Sequence, residues 1–181
     1  AENNNYFKAN RTATITIKEV NFRADDVKIS MTATKEGNPV QLPTVSGWRQ
    51  EGTDTHTATI NFTTDADYTL HVAYSDLANN AASNFATQSF VIDKVKPEVS
   101  ISGVKDLSAN KEGVAPVISF SDINLDLQRS KVVLKGTNTG SKVFTSKTSE
   151  NSKADNIKLE TIEIDDNYVL TADIYDKSGN L

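Results

Sequence analysis

The sequence contains no cysteine, which excludes disulfide bonds, thiol catalysis and zinc sites built on thiolates. Long apolar runs are also lacking, because no segment reaches the roughly 18 apolar residues of a membrane span. We therefore expect no membrane insertion. Basic residues are outnumbered on both sides of the boundary between Asp93 and Lys94, and the net charge is −5. This charge makes nucleic acid a poor partner, since nucleic-acid binding draws its affinity from basic surfaces.

The abundant residues are Thr, Ser, Asn, Asp and Val, and they form short apolar alternations between polar clusters. This pattern predicts an all-β protein, because helices show a period of 3.6 residues instead. A chain of this kind without thiols fits a protein exported by an organism that does not rely on disulfides. We therefore expect an extracellular location, either at the cell surface or secreted.

One stretch of the chain occurs twice. Residues 68–80 read YTLHVAYSDLANN, and residues 168–180 read YVLTADIYDKSGN. Each copy predicts a strand with alternating buried side chains, followed by a turn around an aspartate. Asn79 in the first copy and Gly179 in the second can adopt the positive φ that such a turn requires.

The register of the repeat extends to earlier strands. Six apolar positions and one turn glycine correspond between the copies. In the first copy they are Ile15, Ile17, Val20, Phe22, Ile29, Met31 and Gly37. In the second copy, in the same order, they are Ile118, Phe120, Ile123, Leu125, Val132, Leu134 and Gly140. The strand at residues 57–62 is expected to match the run that ends at Ile164. A repeat of roughly 100 residues is a common size for one hydrophobic core, so we predict two domains, residues 1–94 and 95–181. Pro97 makes the linker at residues 94–97 short and semi-rigid.

The two copies differ at their ends. Residues 98–102 have no counterpart before Tyr6, and residues 87–93 have no counterpart after Asn180. We expect the first strand of domain 1 to be missing or irregular and the last strand of domain 2 to be missing. An unpaired strand edge, which invites pairing with another chain, is then expected in each domain.

Seven short strands per roughly 100 residues, with regular turn signals, predict two tandem immunoglobulin-like β-sandwich domains. In such sandwiches a tyrosine near the start of the sixth strand bonds nearby backbone through its hydroxyl, an arrangement called the tyrosine corner. Tyr68 and Tyr168 each precede a leucine by two residues. We predict that both tyrosine side chains are largely buried and that each forms a structural tyrosine corner.

Several runs resemble bacterial Ig-like repeats of large secreted and surface-anchored proteins of Gram-positive bacteria: residues 6–22, 45–48, 68–80 and 90–94. The resemblance covers nearly the whole chain. Those repeats usually carry glycine at the position of Asn79, although asparagine also tolerates the left-handed conformation. The resemblance implies an Ig-like fold, adhesion or spacing as the role, and neighbouring repeats of the same polypeptide as partners; it implies no catalytic residues.

Catalysis has little support in the sequence. A Ser-His-Asp set needs a histidine that is held by a carboxylate and touches a nucleophile, and only His56 and His71 are available. We interpret both histidines as surface residues and expect a protein that is not an enzyme and holds no cofactor. An internal Lys–Asn isopeptide bond is also disfavoured, because the candidate lysines fall at outward strand positions: Lys18, Lys28 and Lys131.

Trp48 is the only tryptophan, and it follows Gly47 on the variable side of the first copy. An indole beside polar residues can stack on a sugar ring. More often a lone tryptophan covers the edge of a core, so packing is the main interpretation. Trp48 is nevertheless the candidate ligand-stacking residue of the chain.

Acidic loop residues suggest a calcium hypothesis. In an Ig-like tandem the acidic loops of consecutive domains face one another across the linker, and these residues would lie there: Asp65, Asp67, Asp93, Asp122, Asn124, Asp126 and Asp176. Oxygen ligands of this kind suit Ca²⁺, which takes about 6–8 of them. Turns use the same residue types without any metal, and that interpretation is the stronger one.

Two classes of function remain. The first is a structural or adhesive module that acts as a spacer or interaction domain in a longer bacterial surface protein. The second is a carbohydrate- or protein-binding module attached to a secreted enzyme. A host or cell-wall glycan or protein is the expected ligand class in either case.

Overall fold

A computed structural model of the chain describes residues 5–83, 85–149 and 151–181. In this part of the chain the protein is all-β, with fourteen strands, one 3-10 turn and no α-helix, which confirms the predicted class. No helix of the described residues is long and apolar enough to cross a membrane. The chain divides into two compact units, residues 1–94 and residues 95–181, and each has its own hydrophobic core.

The first unit contains a short 3-10 turn (Ala24–Asp26) and eight strands: β1 (Tyr6–Phe7), β2 (Arg11–Lys18), β3 (Lys28–Lys35), β4 (Asn38–Pro39), β5 (Arg49–Glu51), β6 (Thr55–Phe62), β7 (Ala66–Ala73) and β8 (Gln88–Ile92). Five strands form one sheet in the order β1-β8-β7-β3-β4, and three form another in the order β2-β6-β5. β1 runs parallel to β8. The other pairs in this unit are antiparallel.

Alternation along the strands determines what the first unit buries. β6 turns every second side chain inward and its threonines outward, and β7 alternates in the same way. Inward side chains from both sheets form one hydrophobic cluster, consistent with a β-sandwich. Phe62 lies at its centre, and its ring meets those of Tyr68 and Phe90 edge-on at 4.9 Å. Burying a side chain of this size stabilises the fold by about 1.5–3 kcal/mol.

The second unit contains six strands in its described part: β9 (Glu98–Ser102), β10 (Val117–Ser121), β11 (Leu125–Gly136), β12 (Gly140–Phe144), β13 (Ala154–Lys158) and β14 (Tyr168–Asp176). They form two antiparallel sheets with the orders β13-β10-β9 and β12-β11-β14. β11 contains an irregularity between Asp126 and Lys131. Ser130 bridges it, because its hydroxyl donates to the Asp126 carbonyl at 2.7 Å and accepts the Tyr175 N–H at 3.0 Å.

One strand of the second unit lies elsewhere than the repeat predicts. β10 pairs with β13 on one side and β9 on the other, whereas Ile164, at the end of the run expected to match residues 57–62, is 67% exposed. Ile162 forms only an isolated bridge with Val114. The physical reason is burial: Ile157 and Leu159 both reach the core at alternate positions.

The two aspartate turns, by contrast, repeat closely. Asp76 N–H donates to the Asn80 carbonyl at 3.0 Å, and Asp176 N–H donates to the Asn180 carbonyl at 3.2 Å. In each turn the asparagine side-chain amide also donates to the aspartate, at 2.8 and 2.6 Å. The predicted positive φ is confirmed, with 64° at Asn79 and 85° at Gly179.

Candidate functional site

Trp48 precedes β5 and is half-buried. Its indole packs on the Phe22 ring with the ring centroids 4.9 Å apart, against the core of the first unit. Gly47 faces open space, since a Cβ atom added there would meet no atom within 4 Å. Part of the indole is therefore committed to packing, and part reaches solvent.

Phe22 joins Trp48 to two further rings. It stacks on His56 at 4.1 Å, with the planes only 14° apart, and lies 5.7 Å from Tyr74. We call these four residues the Phe22 cluster. His56 is 8% exposed, and its Nε2 lies 3.1 Å from the Glu19 carbonyl oxygen. Because a carbonyl can only accept, Nε2 carries a proton. The interpretation of His56 as a surface residue is wrong, since His56 shares the inward parity of β6.

Tyr74 gives the Phe22 cluster a buried polar atom. Burial raises the pKa of its hydroxyl, and the neighbouring Arg23 backbone offsets part of that rise. Even so, the hydroxyl makes no hydrogen bond of normal geometry with any described residue. The Arg23 contact is therefore weak, and Tyr74 contributes to the cluster mainly through its ring.

His71 lies on the outer face of β7 and is exposed, as the alternation predicts. Its Nδ1 lies 3.2 Å from the Thr87 hydroxyl. A nucleophile–base pair of this kind needs a carboxylate to orient the imidazole. Among the described residues no carboxylate bonds His71, so this contact lacks the third member of a catalytic set.

The three lysines considered for an isopeptide bond are all exposed. Lys28 donates to the Asp25 carbonyl at 3.2 Å, and Lys131 lies 4.0 Å from the Asp173 carboxylate. Lys18 ends β2 on its outward side. Solvent therefore surrounds the amines that such a bond would have to bury.

Tyr68 and Tyr168 open β7 and β14 in related ways. The Tyr68 hydroxyl donates to the Thr64 carbonyl at 2.9 Å, and the Tyr168 hydroxyl donates to the Ile164 carbonyl at 3.1 Å. Tyr68 is 2% exposed, and burial raises the pKa of its hydroxyl although the hydrogen bond to Thr64 lowers it. Tyr168 is only half-buried, so the expectation of a largely buried side chain is wrong for this copy.

The three candidate acids of the first unit lie in different surroundings. Asp65 forms an ion pair with Lys94 at 3.3 Å and also accepts the Lys94 backbone N–H at 3.2 Å. Asp67 lies exposed on β7. Asp93 is buried, at 6% exposure. Lys94 therefore compensates the charge of Asp65, which weakens it as a metal ligand.

In the second unit two carboxylates approach each other. Oxygens of Asp122 and Asp176 lie within 4.8 Å, and Asp176 is fully buried. Asp122 accepts the Asn124 N–H at 2.6 Å, and Asp176 accepts two bonds from Asn180. Asp126 likewise accepts the Arg129 N–H at 3.1 Å. These are turn contacts, and turns use aspartate in this way without any metal. The calcium hypothesis therefore stays a prediction.

Asp166 is a structurally important acid that the sequence analysis missed. Its Oδ2 accepts the N–H groups of Asn138 and Thr139 at 2.8 and 2.9 Å and the Thr139 hydroxyl at 2.9 Å. Desolvation raises the pKa of Asp166, but these bonds, with that from the Asn167 N–H, bring it down to about 2. Gly136 makes room for this contact, since a Cβ atom there would lie 2.6 Å from Oδ2. Asp166 thus ties the β11–β12 turn to the segment before β14.

A shallow groove of about 750 Å³ lies on the sheet β13-β10-β9. Ser100, Ser119 and Asn156 stand side by side in register along it, and all three are exposed. Short polar side chains on a flat sheet offer no enclosed pocket for a small ligand.

The residues singled out from the sequence belong to separate strands and turns. Trp48 lies in the Phe22 cluster, Tyr68 opens β7 and Tyr168 opens β14. Their contacts are those of packing, turn formation and strand pairing.

Comparison of the chain with models of known protein families and with curated proteins finds no match.

Proposed function

We propose that this chain is a non-catalytic pair of immunoglobulin-like modules from a larger bacterial cell-surface or secreted protein, where it acts as a spacer or interaction domain. The observation that carries the proposal is a structure present in both units. A tyrosine hydroxyl donates to the carbonyl four residues upstream, and a strand and an aspartate turn follow. This backbone contact of a tyrosine is a hallmark of Ig-like sandwiches.

A spacer has to stay folded outside the cell, and the contacts of the chain suit that task. The two cores are apolar and need no disulfide. Polar side chains such as Ser130 and Asp166 hold strands and turns together through hydrogen bonds. The partners implied are neighbouring repeats of the same polypeptide, and the implied location is extracellular.

The alternative is a carbohydrate- or protein-binding module attached to a secreted enzyme, with a host or cell-wall glycan or protein as ligand. One observation favours it. Trp48 keeps part of its indole exposed, and an aromatic face of this kind can stack on a sugar ring.

A glycan array separates the two functions. The array is probed with the wild-type chain, with Trp48→Ala, and with Leu42→Ala as a matched control, because Leu42 is also partly exposed, at 44%, and lies in the same segment before β5. A spacer gives the same profile for all three chains. The binding module gives wild-type signals that Trp48→Ala weakens by about 10-fold, roughly 1.4 kcal/mol, and that Leu42→Ala retains.

Two further readouts make the result interpretable. Because Trp48 packs on Phe22, circular dichroism has to show that Trp48→Ala keeps its fold. Analysis of the array supernatant for released sugars tests the non-catalytic part of the proposal, and turnover of any glycan by the wild-type chain overturns it.

A further inference from the structure

β12 is an exposed edge strand in the middle of the second unit, between β11 and β13 in the chain. It pairs with β11 on one side, and no described strand pairs with it on the other. Its residues Gly140 to Val143 are exposed, and only Phe144 is half-buried. A free edge of this kind presents backbone donors and acceptors to which another strand can bond.

The equivalent strand of the first unit is better protected. β4 follows β3 as β12 follows β11, and it also ends its sheet. β4 has only two residues, of which Pro39 lacks a backbone N–H. β12 has five residues, GSKVF, and all of them carry a backbone N–H. Short strands and prolines are common means of protecting a sheet edge, and β12 has neither.

Lys142 is the one charged residue of β12, and a lysine can also protect an edge strand. Its ammonium is held by its own unit, however. It lies 3.4 Å from the Glu160 carboxylate and 5.2 Å from the centre of the Phe144 ring. These contacts draw the charge back over the second unit and leave the backbone edge of β12 open.

The turn that leads into β12 is fixed by hydrogen bonds. Asp166 accepts the N–H groups of Asn138 and Thr139 at 2.8 and 2.9 Å, and Gly140 adopts a φ of 82°. An edge that is already ordered loses less conformational freedom when it binds a partner strand. The β12 edge is therefore preorganised for strand addition.

An apolar strip reaches the β12 edge on the outer face of the sheet. Val143 lies directly opposite Val133 of β11. Val133 is half-buried, whereas Val143 is 59% exposed. A strand that places an apolar side chain beside Val143 would extend this strip and remove Val143 from water, which is favourable.

The sequence around β12 complements itself when two copies run antiparallel. With Val143 opposite Val143, Lys142 faces Phe144 of the second copy, and a cation is attracted to an aromatic ring. Ser141 then faces Thr145, a pair of small hydroxyl side chains. The neighbouring register would place Lys142 opposite Lys142, and like charges in that position are destabilising. Charge therefore favours the register that is centred on Val143.

We propose that two copies of this chain associate through β12, antiparallel and with Val143 opposite Val143, so that their sheets join in the order β14-β11-β12-β12-β11-β14. Main-chain hydrogen bonds supply the affinity of such strand addition, and the alternate side chains supply the register. The inference goes beyond the spacer role, because it names a surface that joins two copies of the chain.

Sedimentation of the whole chain as a function of concentration tests the association. An interface of one strand pair is small, so we expect a monomer at about 10 μM and a dimer that becomes populated toward about 1 mM. Val143→Glu places two carboxylates opposite each other and should weaken the dimer by at least about 10-fold. Val169→Glu is the matched control, because Val169 is 61% exposed on the same outer face but belongs to β14; this variant should still dimerise.

A mixing experiment tests the register. Val143→Lys alone should also fail to dimerise, whereas an equimolar mixture of Val143→Lys and Val143→Glu should associate again, because opposite charges then face each other. Circular dichroism checks that each variant is folded. Hydrogen exchange at high concentration should show added protection of the β12 amides.

Three results overturn the proposal. The first is a chain that stays monomeric at about 1 mM, well within the reach of weak association. The second is a dimer that Val143→Glu leaves intact, or a mixture of the two charged variants that associates no better than either alone. The third is protection that appears in β9 or β14, which also end their sheets in the described part of the chain, and not in β12.

Discussion

Removing the hydroxyl of Tyr68 measures what the start of β7 contributes to the first unit. In Tyr68→Phe the ring remains against Phe62 and Phe90, and only the 2.9 Å bond to the Thr64 carbonyl is lost. A hydrogen bond of this kind stabilises a protein by about 0.5–1.5 kcal/mol net. Thr64 is exposed, so water can satisfy its carbonyl afterwards. We therefore expect a loss of about 1 kcal/mol.

Urea denaturation followed by the fluorescence of Trp48 measures this loss, because Trp48 is the only tryptophan and lies in the first unit. With a slope of about 1–3 kcal/mol per molar urea, the midpoint should fall by roughly 0.3–1 M. In a thermal scan the same loss lowers Tm by about 4–8 °C for a unit of this size.

Two matched variants sharpen the result. Tyr74→Phe removes a hydroxyl that has no full hydrogen bond among the described residues, so its midpoint should stay the same or rise. Tyr168→Phe removes a longer bond from a half-buried ring, so its effect, followed by circular dichroism, should be smaller than that of Tyr68→Phe. If Tyr68→Phe unfolds at the wild-type midpoint, the hydroxyl does not hold the corner and the reasoning is wrong.

Three further predictions concern the second unit and its turns. The folded pKa of Asp166 is about 2, below the unfolded value, so its stabilising effect is present above about pH 4 and is lost as pH falls toward 2. Asp166→Asn should therefore flatten that part of the curve of unfolding free energy against pH, as measured by urea denaturation. An unaltered curve would contradict the assigned bonds. Gly179→Ala places a Cβ at φ 85° and should destabilise the turn by about 1–2 kcal/mol, whereas the same change at Gly113, where φ is not positive, tests crowding alone. The calcium hypothesis predicts a higher thermal midpoint with Ca²⁺ than with chelator, and equal midpoints would leave the acidic residues as turn formers.

The parts of the fold that the sequence predicts are those that local alternation controls. β6, β7 and the turn after Asp76 follow from apolar side chains at every second position and from one residue that tolerates a positive φ. β13 was misplaced because its first three residues, ADN, are polar or small. The strand shows its alternation only at Ile157, and the more apolar run ending at Ile164 competes with it.

The side chains whose burial or bonding was misjudged depend on tertiary contacts. His56 stands one residue before the expected start of its strand. Extending the alternation of β6 back by one residue gives it the inward parity, and its ring packs on Phe22. Asp166 finds its donors in a turn 27 and 28 residues away, which no local pattern reports. In the first unit Phe90 of β8 stacks on Tyr68, whereas no described strand takes that place beside Tyr168. The half-burial of Trp48 depends on how closely Phe22 approaches it.

The parallel pairing of β1 with β8 has a mechanical consequence. β1 lies near the beginning of the first unit and β8 near its end, and the backbone bonds from Val91 N–H to the Asn5 carbonyl (2.7 Å) and from Asp93 N–H to the Phe7 carbonyl (3.0 Å) join them. When tension pulls the two ends of this unit apart, parallel neighbours slide along each other. Both bonds then bear the load together in shear and rupture together, whereas the bonds of a hairpin pulled from its open end are unzipped one after another.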